Sequence, residues 1–126
     1  MEVAATSVNH AAVLPACRAV VHHGGAGTTA AGLRAGVPAL VLWTALDQPI
    51  WAGIIEHLKV GAARGFLVSN QASLVSDLRS ILSPQCVTRA RQVAASMTKA
   101  AESVARAADL LEDAARPQEA PGRRAD

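Results

Sequence analysis

The stretch that constrains this chain most is His22-His23-Gly24-Gly25-Ala26-Gly27-Thr28-Thr29. An apolar run, Ala19-Val20-Val21, leads into it, and an alanine-rich pattern from Ala30 to Ala35 leads out. Strand, glycine turn and helix start therefore meet within about a dozen residues, the layout of a βα unit. Glycines let the backbone turn sharply and let a ligand approach without meeting a Cβ atom. The helix that follows offers unpaired N–H groups and the positive end of its dipole, which together attract an anion, most often a phosphate.

The rest of the chain reads as further α/β units. Residues 18–22 predict a buried parallel strand, and residues 28–35 a helix that stops at Gly36, a position for a left-handed cap. Ala39-Leu40-Val41-Leu42-Trp43 predicts the second strand, with Pro38 tolerated at its start. Asp47, Gln48 and Pro49 open a helix reaching to about Lys59, and a third short strand is expected around Ala62-Ala63-Arg64. Ser69 or Asn70 can cap the next helix, whose apolar face is Leu74, Val75, Leu78, Ile81 and Leu82. After Ser83-Pro84 the spacing of Val87, Ala90, Ala94, Met97, Ala101, Val104, Ala108, Leu111 and Ala115 predicts one long amphipathic helix, docked through a seam of small residues on a sheet or another domain. The expected fold is α/β, a partial Rossmann-like parallel sheet of about three strands with flanking helices and a long C-terminal helix. Residues 1–115 form one unit in this reading, and residues 116–126, with two prolines and mixed charge, a disordered tail.

Composition bounds the function. At 126 residues there is room for one domain, and with 51% hydrophobic but only 2% aromatic residues the core is built of Ala, Val, Leu and Ile. Alanine buries little area, so at roughly 25 cal/mol per Å² such a core stabilises weakly for its length. The net charge of +2 is scattered, which excludes a dedicated nucleic-acid surface. Cys17 and Cys86 match neither a disulfide framework nor a metal spacing and fit a reduced, cytoplasmic setting. Residues 37–46, the longest apolar stretch, contain Pro38 and are too short to span a bilayer, and no signal-peptide pattern opens the chain.

Gly25-Ala26-Gly27-Thr28-Thr29-Ala30 formally fits the dinucleotide fingerprint G-x-G-x-x-A. That fingerprint also wants an acid at the end of the next strand. Asp47 stands 22 residues after Gly25 but sits at a helix start, so a nicotinamide or flavin site is the weaker reading. His23, just before the turn, can donate to a phosphate oxygen, the alternative being a strand-end histidine satisfied by a carbonyl. Gly24, Gly25, Ala26, Gly27 and Thr28 complete the candidate diphosphate cradle, while Thr29 suits capping and His22 a structural role. Asp47 and Gln48 suit sugar hydroxyls, because a carboxylate accepts and an amide both accepts and donates. Asp47 could equally be an N-cap for the helix opening at Pro49. His57 reads as a surface residue and the two tryptophans as packing.

Three separated motifs in one order carry a resemblance: His10-Ala11-Ala12-Val13-Leu14-Pro15, Val20 through Pro38, and Asp47-Gln48-Pro49-Ile50-Trp51. Over roughly residues 8–115 the chain resembles the donor-binding half of GT-B glycosyltransferases, in particular sterol glucosyltransferases and actinobacterial members of the UDP-glycosyltransferase family that glycosylate glycopeptidolipids. The resemblance implies that His23 and Gly24 to Thr28 bind the diphosphate of a UDP- or dTDP-sugar, that Asp47-Gln48 hold the sugar, and that His10 lies near the nucleobase. It implies an inverting hexosyltransferase that needs neither metal nor cofactor, with a lipid or other hydrophobic hydroxyl as acceptor and peripheral membrane association through it. The sequence departs from that pattern at Ala31, where many relatives carry a ribose-binding glutamate, and at Trp43, where many carry proline. Neither an acceptor domain nor a candidate base is readable. The expectation is a C-terminal piece from a truncated or a split reading frame, inactive alone, the split case implying a separately encoded N-terminal acceptor domain. The competing expectations are a nucleotide- or anion-binding module and a non-functional remnant.

Overall fold

A computed structural model describes residues 7–116. Within them the elements run α1 (His10–Val13), β1 (Val20–His22), α2 (Ala26–Ala35), β2 (Ala39–Trp43), α3 (Gln48–His57), β3 (Gly61–Gly65), α4 (Gln71–Ile81), α5 (Pro84–Ser96) and α6 (Ala100–Ala115). Short 3₁₀ turns at Leu14–Ala16 and Phe66–Val68 follow α1 and β3. The three strands form one parallel sheet in the order β1-β2-β3, with Val20 opposite Ala39 and Ala39 opposite Gly61. This is the expected α/β architecture. Parallel strands bring every βα turn to one end of the sheet, which decides where a site can be.

The core explains why β2 is central. Ala39, Leu40 and Val41 are 2%, 1% and 0% exposed, a strand covered on both faces. Ala39 and Val41 pack with Ala52 and Ile55 of α3, Val60, and Ala90 and Val93 of α5, with Val20 and Leu33 against the cluster. Leu40 faces the other way, on the side where α4 packs against β2 and β3 and buries Ile81. At the edge, Val21 is half exposed.

Local signals set most boundaries. Gly36 ends α2 at φ 67, the left-handed cap its residue type suggests. Asn70 is the cap of α4, its side chain accepting from the Ser73 amide while the Ser73 hydroxyl receives the Asn70 N–H. Ser83 caps α5 through the Cys86 amide, with Pro84 in the first turn. Two differences stand out. Helix α2 begins at Ala26, two residues before the expected start, because a glycine at position 25 in extended conformation serves as its N-cap. The stretch from Pro84 to Ala115 is interrupted: α5 stops at Ser96, Met97 is extended, Lys99 is non-helical, and the C-terminal helix α6 starts afresh. The Ser96 hydroxyl donates to the Val93 carbonyl at 2.7 Å, and Thr98 is β-branched, so side chains here compete with the helical ladder. Spacing of three and four passes over such a break. Only α5 docks through its small residues; α6 buries none of its own, with Val104 and Leu111 exposed. Beyond Arg116 the expected tail lies outside the described residues.

Arg64 on β3 and Asp77 on α4 form a two-bond ion pair at 2.7 and 2.9 Å that fastens α4 to the sheet, a link without a sequence signal. Hydrogen bonding from Arg64 holds the Asp77 carboxyl below its ordinary value of 3.8. A depressed carboxylate contributes stability that is present above the unfolded value and lost as pH falls through the folded one. Asp77→Asn is therefore expected to lower the melting temperature by more at pH 7 than at pH 3, as measured by circular dichroism. Equal losses at both pH values would count against the pair.

Candidate functional site

The turn after β1 and the turn after β2 lie side by side at the C-terminal end of the sheet. Gly24 joins them. Its backbone is at φ 95, and a Cβ there would stand 2.9 Å from Val41 Cγ1, 3.2 Å from the Gln48 carbonyl oxygen and 3.3 Å from Gln48 Cβ. A left-handed, crowded position of this kind suits glycine alone. The glycine turn and the Asp47-Gln48 pair, 22 residues apart when counted from Gly25 to Asp47, are thus packed directly together.

Past Gly24 the chain turns into α2. Ala26, Gly27 and Thr28 are its first three residues, and their amides have no intrahelical partner; among the described residues they form no other backbone bond. The Thr29 amide is the first to close, on the Gly25 carbonyl at 2.9 Å. The Thr29 hydroxyl is buried and donates to the same carbonyl at 2.9 Å, so it ties the first turn from inside and does not cap an amide as expected. Thr28 is half-buried and its hydroxyl makes no hydrogen bond among the described residues. Nothing lies within 4 Å of a Cβ placed on Gly27, so the approach to these amides is open. The exposed ring of His23 lies over Gly25, with Nε2 2.9 Å from the position a Cβ would take there. An imidazole nitrogen thus lies beside three free amides at a helix N-terminus, an arrangement that suits an anion.

The sugar-binding candidates are both engaged within the chain. Gln48 Oε1 accepts from the Thr44 amide at 2.8 Å, the Thr44 hydroxyl at 3.0 Å and the Ala45 amide at 3.3 Å. Two backbone N–H groups identify that atom as the oxygen, which leaves the NH₂ to face outward. The expectation that Gln48 both accepts and donates narrows to donation. Asp47 Oδ2 accepts the Trp51 indole N–H at 2.9 Å, one helical turn on, and its side chain caps no amide. Trp51 is accordingly more than packing: it orients the carboxylate and leaves Oδ1 available. Leu46 stands fully in solvent beside them at φ 63. His10 opens α1 and, with Asn9, Ala31 and Arg34, lines a cavity of about 460 Å³ on the α2 side. None of the residues from His23 to Thr28 lines that cavity. A cavity of about 790 Å³ lined by Glu56, Lys59, Ser83 and Arg89 opens at the N-terminal end of β3, away from the βα turns where parallel sheets bind ligands.

His22 is the residue whose role at the site the sequence understated. Its Nδ1 accepts the Gly24 amide at 3.1 Å, so it shapes the turn itself. Burial first, then the neighbouring His23 and His10, push its pKa below 6.5. Among the described residues no group of three or more His, Cys, Asp or Glu side chains is placed to hold a metal ion, and Cys17 and Cys86 are free.

Fold and turn together define a class: a parallel α/β half-domain of Rossmann-like type, with free helix N-terminal amides at a glycine-rich βα turn. Residues 3–114 match the family model for the erythromycin biosynthesis protein CIII-like C-terminal domain, and the chain belongs to that family of GT-B glycosyltransferases. It is 67% identical over 110 residues to an uncharacterized glycosyltransferase of Mycobacterium leprae, covering 87% of this chain and 26% of that protein. It is 41% identical over 107 residues to the vancomycin aglycone glucosyltransferase of Amycolatopsis orientalis, covering 85% of this chain and again 26% of the relative. Among solved structures, the glycosyltransferase VinC in complex with dTDP superposes with a TM-score of 0.70 at 26% identity, over 86% of this chain and 29% of that one. The kitacinnamycin glycosyltransferase gives 0.69 at 29% identity, over 85% and 28%. The chain spans about a quarter of the length of these relatives. Among the described residues no helix is long and apolar enough to cross a membrane.

Proposed function

We propose that residues 1–115 are the donor-binding part of an inverting, metal-independent hexosyltransferase that works in the cytoplasm. The diphosphate of a UDP- or dTDP-sugar lies on the amides of Ala26, Gly27 and Thr28, flanked by Gly24, Gly25 and the His23 ring. Asp47 Oδ1 and the Gln48 amide take the sugar hydroxyls, and the nucleobase lies toward His10. One observation carries the reading: three unbonded amides and an imidazole converge at the same sheet end where Gly24 packs on Gln48.

The chemistry follows from that arrangement. A base deprotonates the acceptor hydroxyl, its oxygen bonds to the anomeric carbon, and the carbon–oxygen bond to the diphosphate breaks on the opposite side. The charge gathering on the departing diphosphate meets the helix N-terminus and His23. Among the described residues near the cradle none is set to act as that base; in this reading it comes from a separate N-terminal acceptor domain, without which the chain transfers no sugar. The acceptor is a lipid or another hydrophobic alcohol, whose docking would bring the enzyme to a membrane surface. The cradle requires no resident cofactor.

Calorimetric titration of the 126-residue chain with dTDP-glucose and UDP-glucose is the direct test. Saturable binding of one of them, weakened about tenfold by Gln48→Ala through loss of a sugar hydrogen bond and of the Thr44 clamp, is expected. Absence of binding in a well-folded chain would overturn the reading. Measurable sugar transfer by the chain alone would overturn its dependence on a second domain.

A further inference from the structure

His22 ends β1 on the same face as Val20, whose side chain lies against Gly32 of α2. Its Nδ1 accepts the Gly24 amide at 3.1 Å, and its Nε2 is sealed from solvent without a hydrogen-bond partner among the described residues. A ring nitrogen that accepts an N–H carries no proton, so the neutral ring bears its hydrogen on Nε2. The Gly24 amide is thus turned into the protein, whereas the amides of Ala26, Gly27 and Thr28 are left free at the cradle.

We propose that His22 is the positioning residue of the cradle: through Nδ1 it holds the Gly24 amide inward, fixes the left-handed turn that aims the next three amides outward, and releases that turn when it is protonated. Its consequence for binding rests on the anion-cradle reading above.

Protonation places a hydrogen on Nδ1, and two donors then face each other, so the bond cannot persist. The ionisable groups facing His22 are His23, next in the chain, and His10 on α1, and both oppose its cationic form. The first turns of α2 and the paired strand β2 carry no ionisable side chain, and Asp47, before α3, is held by Trp51. Burial acts in the same direction and keeps the ring neutral. Because the folded pKa lies below the ordinary 6.5, the contribution of neutral His22 is fully present above 6.5 and is lost as pH falls below it.

The test uses the ¹⁵N-labelled full chain from pH 8 to 5, with the Gly24 amide and the imidazole nitrogens followed by NMR and dTDP affinity by calorimetry. His22 is expected as the Nε2–H tautomer at neutral pH, with the Gly24 amide protected and its shift tracking the His22 titration below 6.5. In His22→Asn, whose Oδ1 replaces Nδ1 as acceptor, Gly24 stays protected without that pH dependence, and dTDP affinity stays within about threefold. In His22→Leu, Gly24 exchanges about tenfold faster and dTDP binds about tenfold more weakly. An Nδ1–H tautomer, or unchanged Gly24 exchange in His22→Leu, would overturn the proposal. If that variant does not fold, a Gly24 shift in His22→Asn that still titrates below 6.5 overturns it instead. A wild-type chain that binds no dTDP sinks the cradle reading, and the amide measurements still decide the role of His22.

Discussion

Gly24→Ala is expected to lower stability by about 2–4 kcal/mol, the sum of a strained left-handed backbone and an overpacked contact. Alanine at φ 95 has no comfortable conformation, and its methyl would press on Val41 Cγ1 and on the Gln48 carbonyl. Neither neighbour can yield freely, since Val41 is fully buried on the central strand and Gln48 opens α3. For a domain of this size that corresponds to a fall of about 8–15 °C in melting temperature, and nucleotide binding is lost with it. Gly27→Ala is the internal control. Its methyl meets nothing within 4 Å and sits in a helix, so stability is unchanged or raised by up to about 1 kcal/mol, while a ligand approaching the amides is obstructed. Thermal unfolding and nucleotide titration on both variants separate the two roles. A Gly24→Ala chain melting within a few degrees of wild type would show that the turn is not constrained as described.

The contrast between those two glycines marks what was legible in the sequence. The order of strands and helices followed from β-branched runs, periodic apolar faces and punctuation by Gly36, Asn70 and Ser83-Pro84. That the turns after β1 and β2 lie at one end of the sheet follows from the parallel topology alone. Long-range partnership was not legible. No local signal couples Gly24 to Gln48 or Arg64 to Asp77, because each depends on where a second element comes to rest. The break after Ser96 was missed for a related reason. A run of small residues keeps its spacing whether or not a surface is present to receive it, and among the described residues only the α5 part has one. The structural role that strand alternation suggests for His22 lies in the glycine turn, through its bond from the Gly24 amide, a partnership the sequence does not show.

His23→Ala is expected to leave the fold intact and to weaken binding of a dTDP- or UDP-sugar by about 10- to 100-fold, the loss of one hydrogen bond to a charged phosphate group. The side chain is exposed and forms no hydrogen bond among the described residues, so nothing in the fold depends on it, and melting should shift by no more than a surface substitution does, within about 0.5 kcal/mol. What it does have is position: Nε2 lies against Gly25, where no Cβ intervenes, beside the free amides of Ala26, Gly27 and Thr28. His23→Gln, which keeps a donor near the place of Nε2, should recover part of the affinity. Because α2 offers its amides and dipole whether or not His23 is present, residual binding in His23→Ala is part of the expectation, and it should weaken further as salt screens the remaining attraction. Binding that is insensitive to His23 but abolished by Gly27→Ala would assign the diphosphate to the helix alone. Binding insensitive to both would place the nucleotide elsewhere in the molecule.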